Sequence, residues 1–190
     1  MSLQLSMNFK KSMWSTPAEY KDLSGASEIA IDLETKDEGN AQYDVGWLEA
    51  EGFKVNGEIV DTMVAAALID ENRFKYSLNS LALDYLGEIK AETDLREAAA
   101  AHGVDAKAEM WKLPAEHVGH YAEQDARLTL LLWQRFKQEI SSQSLTTIWD
   151  LEMGLFPVLL KMRQRGVRVQ VEEAERLKKQ MHNQEKELLL

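Results

Sequence analysis

Asp32 and Glu34 close the apolar run Ile29-Ala30-Ile31. Side chains repeat every two residues along a strand, so both carboxylates would share one face. Two like charges that close repel, and a cation is the usual relief. Two later pairs extend the pattern. Asn40 and Asp44 stand four residues apart, as do Tyr121 and Asp125, and four residues bring side chains together on one helix face. The set is then four acids, Asp32, Glu34, Asp44 and Asp125, with one phenol. Hard oxygen ligands suit magnesium or manganese, not zinc. In a two-metal site the ions lie roughly 3.5–4 Å apart and clamp the attacking and leaving oxygens of a phosphodiester. Tyr121 would hydrogen-bond the attacking water and orient it. The chemistry implied is hydrolysis by positioning and electrostatics, without a covalent intermediate.

Each residue also has a plainer reading. Asp32 and Glu34 could be a solvated strand end, and Asp44 and Asp125 solvated helix-face acids. Tyr121 could be a core aromatic with its hydroxyl at the surface, and Asn40 a helix N-cap. The joint order of the pairs sets them apart from such isolated features.

The pattern also assigns the elements that must carry these groups. A short helix is expected over 17–24, with Pro17 at its start. A buried strand is expected over 28–34, and a helix from Asn40 to Glu51 closed near Gly52. Phe53 to Val60 reads as strand-like but broken at Asn56-Gly57. Asp61 is placed to cap a helix over 62–69, and Ser77 another over 78–86 that Gly87 ends. An alanine-rich helix follows over 94–102, stopped by Gly103. Pro114 opens a long helical stretch through Tyr121 and Asp125 to about Ile140. A second runs over 145–165, then a short extended piece at 167–169 and a charged helix from Glu172 to Leu190. The Ser-rich stretch 141–144 marks the expected boundary, giving domains 1–143 and 144–190.

At 190 residues and 45% hydrophobic the chain can bury a real core. It has no cysteine, which excludes disulfides and zinc-thiolate sites. No apolar run approaches a membrane span and no signal-like core opens the chain, so a cytoplasmic location is expected. The net charge of -10 argues against a protein that tracks duplex DNA over a broad basic surface. It leaves a metal-dependent nuclease open, because carboxylates bind the ions first and the ions then attract phosphate.

These motifs resemble those of the DEDDy exonucleases, the tyrosine-bearing branch of the ribonuclease H-like 3′-5′ exonucleases. Asp32 and Glu34 match that family's first motif, Asn40 and Asp44 its second, and Tyr121 and Asp125 its third. The segments Val60 to Met63, Tyr76 to Leu78 and Tyr85 to Gly87 are similar to the helical linker between motifs two and three. Trp149 to Met153, Pro157 to Leu159 and Met162 to Val169 resemble the passage into the polymerase of family A DNA polymerases, of the DNA polymerase I type and phage-like.

The resemblance implies an α/β, ribonuclease H-like exonuclease fold: a mixed sheet flanked by helices, with a helical C-terminal segment beginning a polymerase domain. It implies proofreading 3′-5′ hydrolysis of a single-stranded DNA 3′ end with two Mg2+ or Mn2+ ions. Asp32, Glu34, Asp44, Tyr121 and Asp125 would be catalytic, with the four acids as metal ligands. Leu33, Thr35 and Asn40 would lie against substrate. A monomer in a bacterial or phage-infected cell is expected, with other replication proteins as further partners. Two alternatives stand beside this one: an RNA-processing exonuclease of the ribonuclease D type, and a non-catalytic exonuclease-like scaffold.

One departure matters. Asp32 and Asp44 lie within one short stretch, bridged by Lys36-Asp37-Glu38-Gly39. In the family far more chain separates these motifs and holds further strands. A lone apolar strand would leave its backbone groups unpaired. A segment is therefore expected to be missing between about Asp37 and Asn40, and with it part of the sheet. With no polymerase palm or fingers, nucleotide addition is not expected.

Overall fold

The computed structural model describes residues 14–19, 22–33, 40–90 and 92–189. Local sequence signals set most helix boundaries. Helix α1, Ala41–Ala50, begins where the Asn40 side chain accepts from the Tyr43 N–H at 3.1 Å. Helix α2, Thr62–Ile69, is capped by Asp61, which accepts from the N–H groups of Met63 and Val64 at 2.8 and 3.3 Å. Ser77 caps α3, Leu78–Leu86, and Gly87 ends it at a φ of 70°, a left-handed turn that costs glycine little. Helix α4, Thr93–His102, stops in the same way at Gly103. Pro114 then precedes the long helix α5, Ala115–Ser142.

Helix α5 is the spine. Helices α2, α3 and α4 each pack on it. Its period brings Leu132, Phe136 and Ile140 against Ala65 and Ala66 of α2 and Leu81 of α3. The alanines let the backbones approach closely, and Phe136 fills the space, fully buried and edge-on to Tyr85 with ring centres 4.9 Å apart. Helix α6, Thr146–Arg165, adds Trp149 to this cluster, stacked on Trp133 at 5.0 Å. Nearer the start of α5 a second cluster joins Leu95, Ala99, Met110, Leu113 and Val118, with Tyr121 packed against it. Trp14 lies over α5 at Gly119, where an added Cβ would collide with the indole, and its Nε1 donates to Glu123 at 2.9 Å.

The chain divides into two compact units, Met1–Phe156 and Pro157–Leu190. The second comprises the end of α6 and helix α7, Val171–Leu188, with Gly166 at a φ of 69° between them. Helix α7 is exposed along its described length.

Three sequence expectations need correction. Residues 17–24 form bends and a turn where described, not a helix. Residues 53–60 are irregular, with Gly57 at a φ of 111°. Most consequential, residues 28–33 form no strand, and among the described residues there is no strand at all. The mixed sheet is thus absent from the described part, which is helical. The physical reason is pairing: an extended run becomes a strand only beside another, and Ile29 and Ile31 remain about half exposed where a central strand would cover them. The bridge at 36–39, where a segment was expected to be missing, lies outside the described residues.

Asp61 tests the local logic. With its carboxylate on two N–H groups and its side chain buried, Asp61→Ala is expected to cost about 1 kcal/mol. Urea unfolding checks this. An unchanged midpoint would show that α2 is held by packing alone.

Candidate active site

Helix α5 carries Tyr121 and Asp125 on its inner face. Asp125 is buried at 6% exposure. One of its oxygens, Oδ1, is buried and has no hydrogen-bond partner among the described residues. The other, Oδ2, is held in an ion pair by Lys90. The Lys90 ammonium also donates to the Tyr121 hydroxyl at 2.8 Å and sits 4.4 Å from the centre of that ring. Burial works against the charge on Lys90, but its hydrogen bonds to Asp125 and Tyr121 outweigh this and raise its pKa.

Asp44 lies in the first turn of α1, and its Oδ1 is likewise buried and unpartnered among the described residues. Burial, then the charges of Asp32 and Asp61, push the Asp44 carboxyl up to about 6. Asp125 is also pushed up to about 6, first by burial and further by Asp32, against the opposing pull of Lys90 and Tyr121. Two acids from distant parts of the chain therefore feel the same third acid. Asp32, Asp44 and Asp125 share one electrostatic neighbourhood.

Other expected residues are less central. Asn40 is exposed and acts as the cap of α1. Leu33 is half-buried, and Glu34 and Thr35 lie outside the described residues. Among the described residues no three acidic or histidine side chains are close enough to hold a metal ion together. The donor chemistry still suits one: two buried carboxylate oxygens lack partners, both carboxyls resist ionisation, and all the donors are hard oxygens. Beyond Tyr121 a cavity of about 260 Å³ is lined by Leu95 and Ala106, with Arg96 and Lys107 facing Glu92 and Asp105.

Lys90 is the residue that motif reading missed. It follows the glycine that ends α3, in a piece of chain without periodicity, and only the fold brings it to α5. A lysine a few residues beyond a helix-ending glycine carries no signal of its own.

The profile of the 3′-5′ exonuclease family matches residues 38–141. The chain belongs to that family. The match begins at the bridge, so it takes in Asp44, Tyr121 and Asp125 but not Asp32 or Glu34. Relatives agree with the assignment. The exonuclease chain is 36% identical over 152 residues to a DNA-directed DNA polymerase of Pseudomonas phage M6, covering 79% of this chain and 23% of that protein. It is 36% identical over 139 residues to the DNA polymerase DpoZ of Salmonella phage PMBT28, covering 70% and 22%. With DNA polymerase I of Pseudomonas aeruginosa it shares 31% over 136 residues, 68% of this chain and 14% of that one. This is an exonuclease domain of DNA polymerase I-like enzymes, phage polymerases included. The chain spans less than a quarter of the length of these relatives.

Proposed function

We propose that this exonuclease removes nucleotides one at a time from single-stranded DNA 3′ ends, as the proofreading part of a larger polymerase. The observation that carries the proposal is the pair of carboxylate oxygens on Asp44 and Asp125 that are buried and without a hydrogen-bond partner among the described residues, both on carboxyls pushed up by burial and further by Asp32. Asp32, Glu34 and Asp125 would hold one divalent cation, and Asp44 with Asp32 a second. When bound, the two ions supply charge neutralisation at the scissile phosphate and a water ready to attack. Tyr121, fixed by Lys90, would orient that water with its hydroxyl. The cavity beyond Tyr121 would receive the unpaired terminal nucleotide. Leu33, Thr35 and Asn40 would line the strand's path.

We also hold to a ribonuclease H-like architecture, with the sheet between the first two motifs cut short in this chain. The closeness of Asp32 to Asp44 in sequence supports it, as does a family match that begins only at residue 38.

A 5′-labelled single strand incubated with the 190-residue chain and Mg2+ or Mn2+ should yield a ladder shortened from the 3′ end. EDTA should stop it. Tyr121→Phe should slow the ladder on the order of 100-fold, the low end of the usual range for losing one orienting or proton-handling group. Digestion that survives EDTA, or that proceeds from the 5′ end, would overturn the reading. RNA digested faster than DNA would move it to the ribonuclease D type.

A further inference from the structure

Lys90 does more than fill a gap between helices. Its side chain is 8% exposed and that of Asp125 9%, so the pair is withdrawn from water together. A buried lysine is expensive unless its ammonium is matched, and here the match is the carboxylate and phenol of one motif. The chain around it is held in place at several points. Gly87 turns the backbone out of α3, and Glu88 pairs with Arg127 of α5. Two residues further on, Lys90 reaches back to the same helix. Arg127 and Glu88 thus join the same stretch of chain to α5 two residues before Lys90.

The Lys90 ammonium lies where positive charge is wanted. Asp125 and Asp44 both feel Asp32, and no other basic side chain of the described residues is paired with either carboxylate. Because the Tyr121 hydroxyl accepts from Lys90, its own proton is left to donate to the Asp125 carboxylate, and its rotation is restricted.

We propose that Lys90 is a positioning residue of the exonuclease site, which fixes the Tyr121 hydroxyl and shields Asp125 until a divalent cation displaces its ammonium from that carboxylate. The proposal rests on the nuclease reading above. Two consequences separate it from a purely structural role. Ammonium and divalent cation compete for Asp125, so losing the ammonium strengthens metal binding. Lys90 acts on the reaction through Tyr121, so its loss costs nothing further once the hydroxyl is gone.

The test uses Lys90→Met, with Lys90→Arg as a partner that keeps the charge. Mn2+ titration by calorimetry should show Lys90→Met binding several-fold tighter than the unsubstituted chain and Lys90→Arg within about twofold of it. On single-stranded DNA, Lys90→Met should lower kcat on the order of tenfold with little change in KM, and Lys90→Arg should recover part of the loss. In a Tyr121→Phe background Lys90→Met should add no further loss. Unchanged or weaker Mn2+ binding by folded Lys90→Met overturns the proposal, as do losses that multiply with Tyr121→Phe. If Lys90→Met does not fold, a Lys90→Arg chain that binds Mn2+ several-fold tighter than the unsubstituted one overturns it equally. Failure of the unsubstituted chain to bind Mn2+ would instead bring down the nuclease reading itself.

Discussion

Asp32→Ala is expected to abolish 3′-terminal hydrolysis and at the same time to raise the melting temperature of the metal-free protein. The two effects have one cause. Asp32 contributes to the upward shift of both Asp44 and Asp125, so without a cation its charge opposes theirs. Removing it relieves that opposition. The gain is bounded by its share of the shifts. Burial leads for both acids, with Asp32 second for Asp44 and behind the Lys90 contributions for Asp125. Each pK unit is worth about 1.4 kcal/mol, and Asp32 supplies only part of either shift. For a chain of this size that is a rise of a few °C at most. The catalytic loss is far larger. A carboxylate needed only to hold charge as the transition state develops should cost a thousandfold or more, on the order seen when preorganised groups are removed. Thermal melts in EDTA and a gel assay with Mg2+ read the two effects separately. A variant that is less stable without metal, or that retains digestion, would show that Asp32 is a structural residue.

What the sequence made legible follows from the range of the interactions. Caps and helix ends are set within four residues, so Asn40, Asp61, Ser77, Gly87 and Gly103 announced α1 to α4 almost to the residue. The pairs Asn40–Asp44 and Tyr121–Asp125 depend on the same helical period, and α1 and α5 supply it. Strands are different, because a strand is defined by a partner elsewhere in the chain. The apolar run expected to be a buried strand over 28–34 has no neighbour to complete it among the described residues, and residues 28–33 stay irregular with Ile29 and Ile31 half exposed. Lys90 is the converse case. Its role comes from a contact between residues 31 and 35 positions apart, closed by the packing of α3 on α5. No pattern within a few residues of Lys90 encodes that.

Without metal the protein should be more stable at pH 5 than at pH 7.5, the reverse of ordinary acid denaturation. Asp44 and Asp125 have folded pKa values of about 6 against an ordinary 3.8. A carboxyl raised in the folded state holds its proton more tightly there, so its contribution is present at low pH and is lost as pH rises through about 6. Between pH 5 and 7.5 each buried group would lose about 1.4 kcal/mol, one pK unit of linkage. Asp44 is only half-buried, so the pair together is worth about 2 kcal/mol, or several °C in melting temperature. The window also separates these two acids from those shifted the other way. Asp22, Glu88, Glu92, Asp105, Glu109 and Glu173 are lowered from ordinary values of 4.5 and 3.8, so their contributions are present throughout this range and fall away only in stronger acid. Asp44→Asn should flatten the slope by about a third, its discounted share of the pair. Saturating Mn2+ should invert it, because the ions bind deprotonated carboxylates and their stabilisation grows as pH rises. Melts across pH 5 to 7.5 with EDTA or Mn2+ decide the matter. A metal-free protein that gains stability toward pH 7.5 would show that Asp44 and Asp125 ionise freely, and with them would go the case for a site built to be completed by cations.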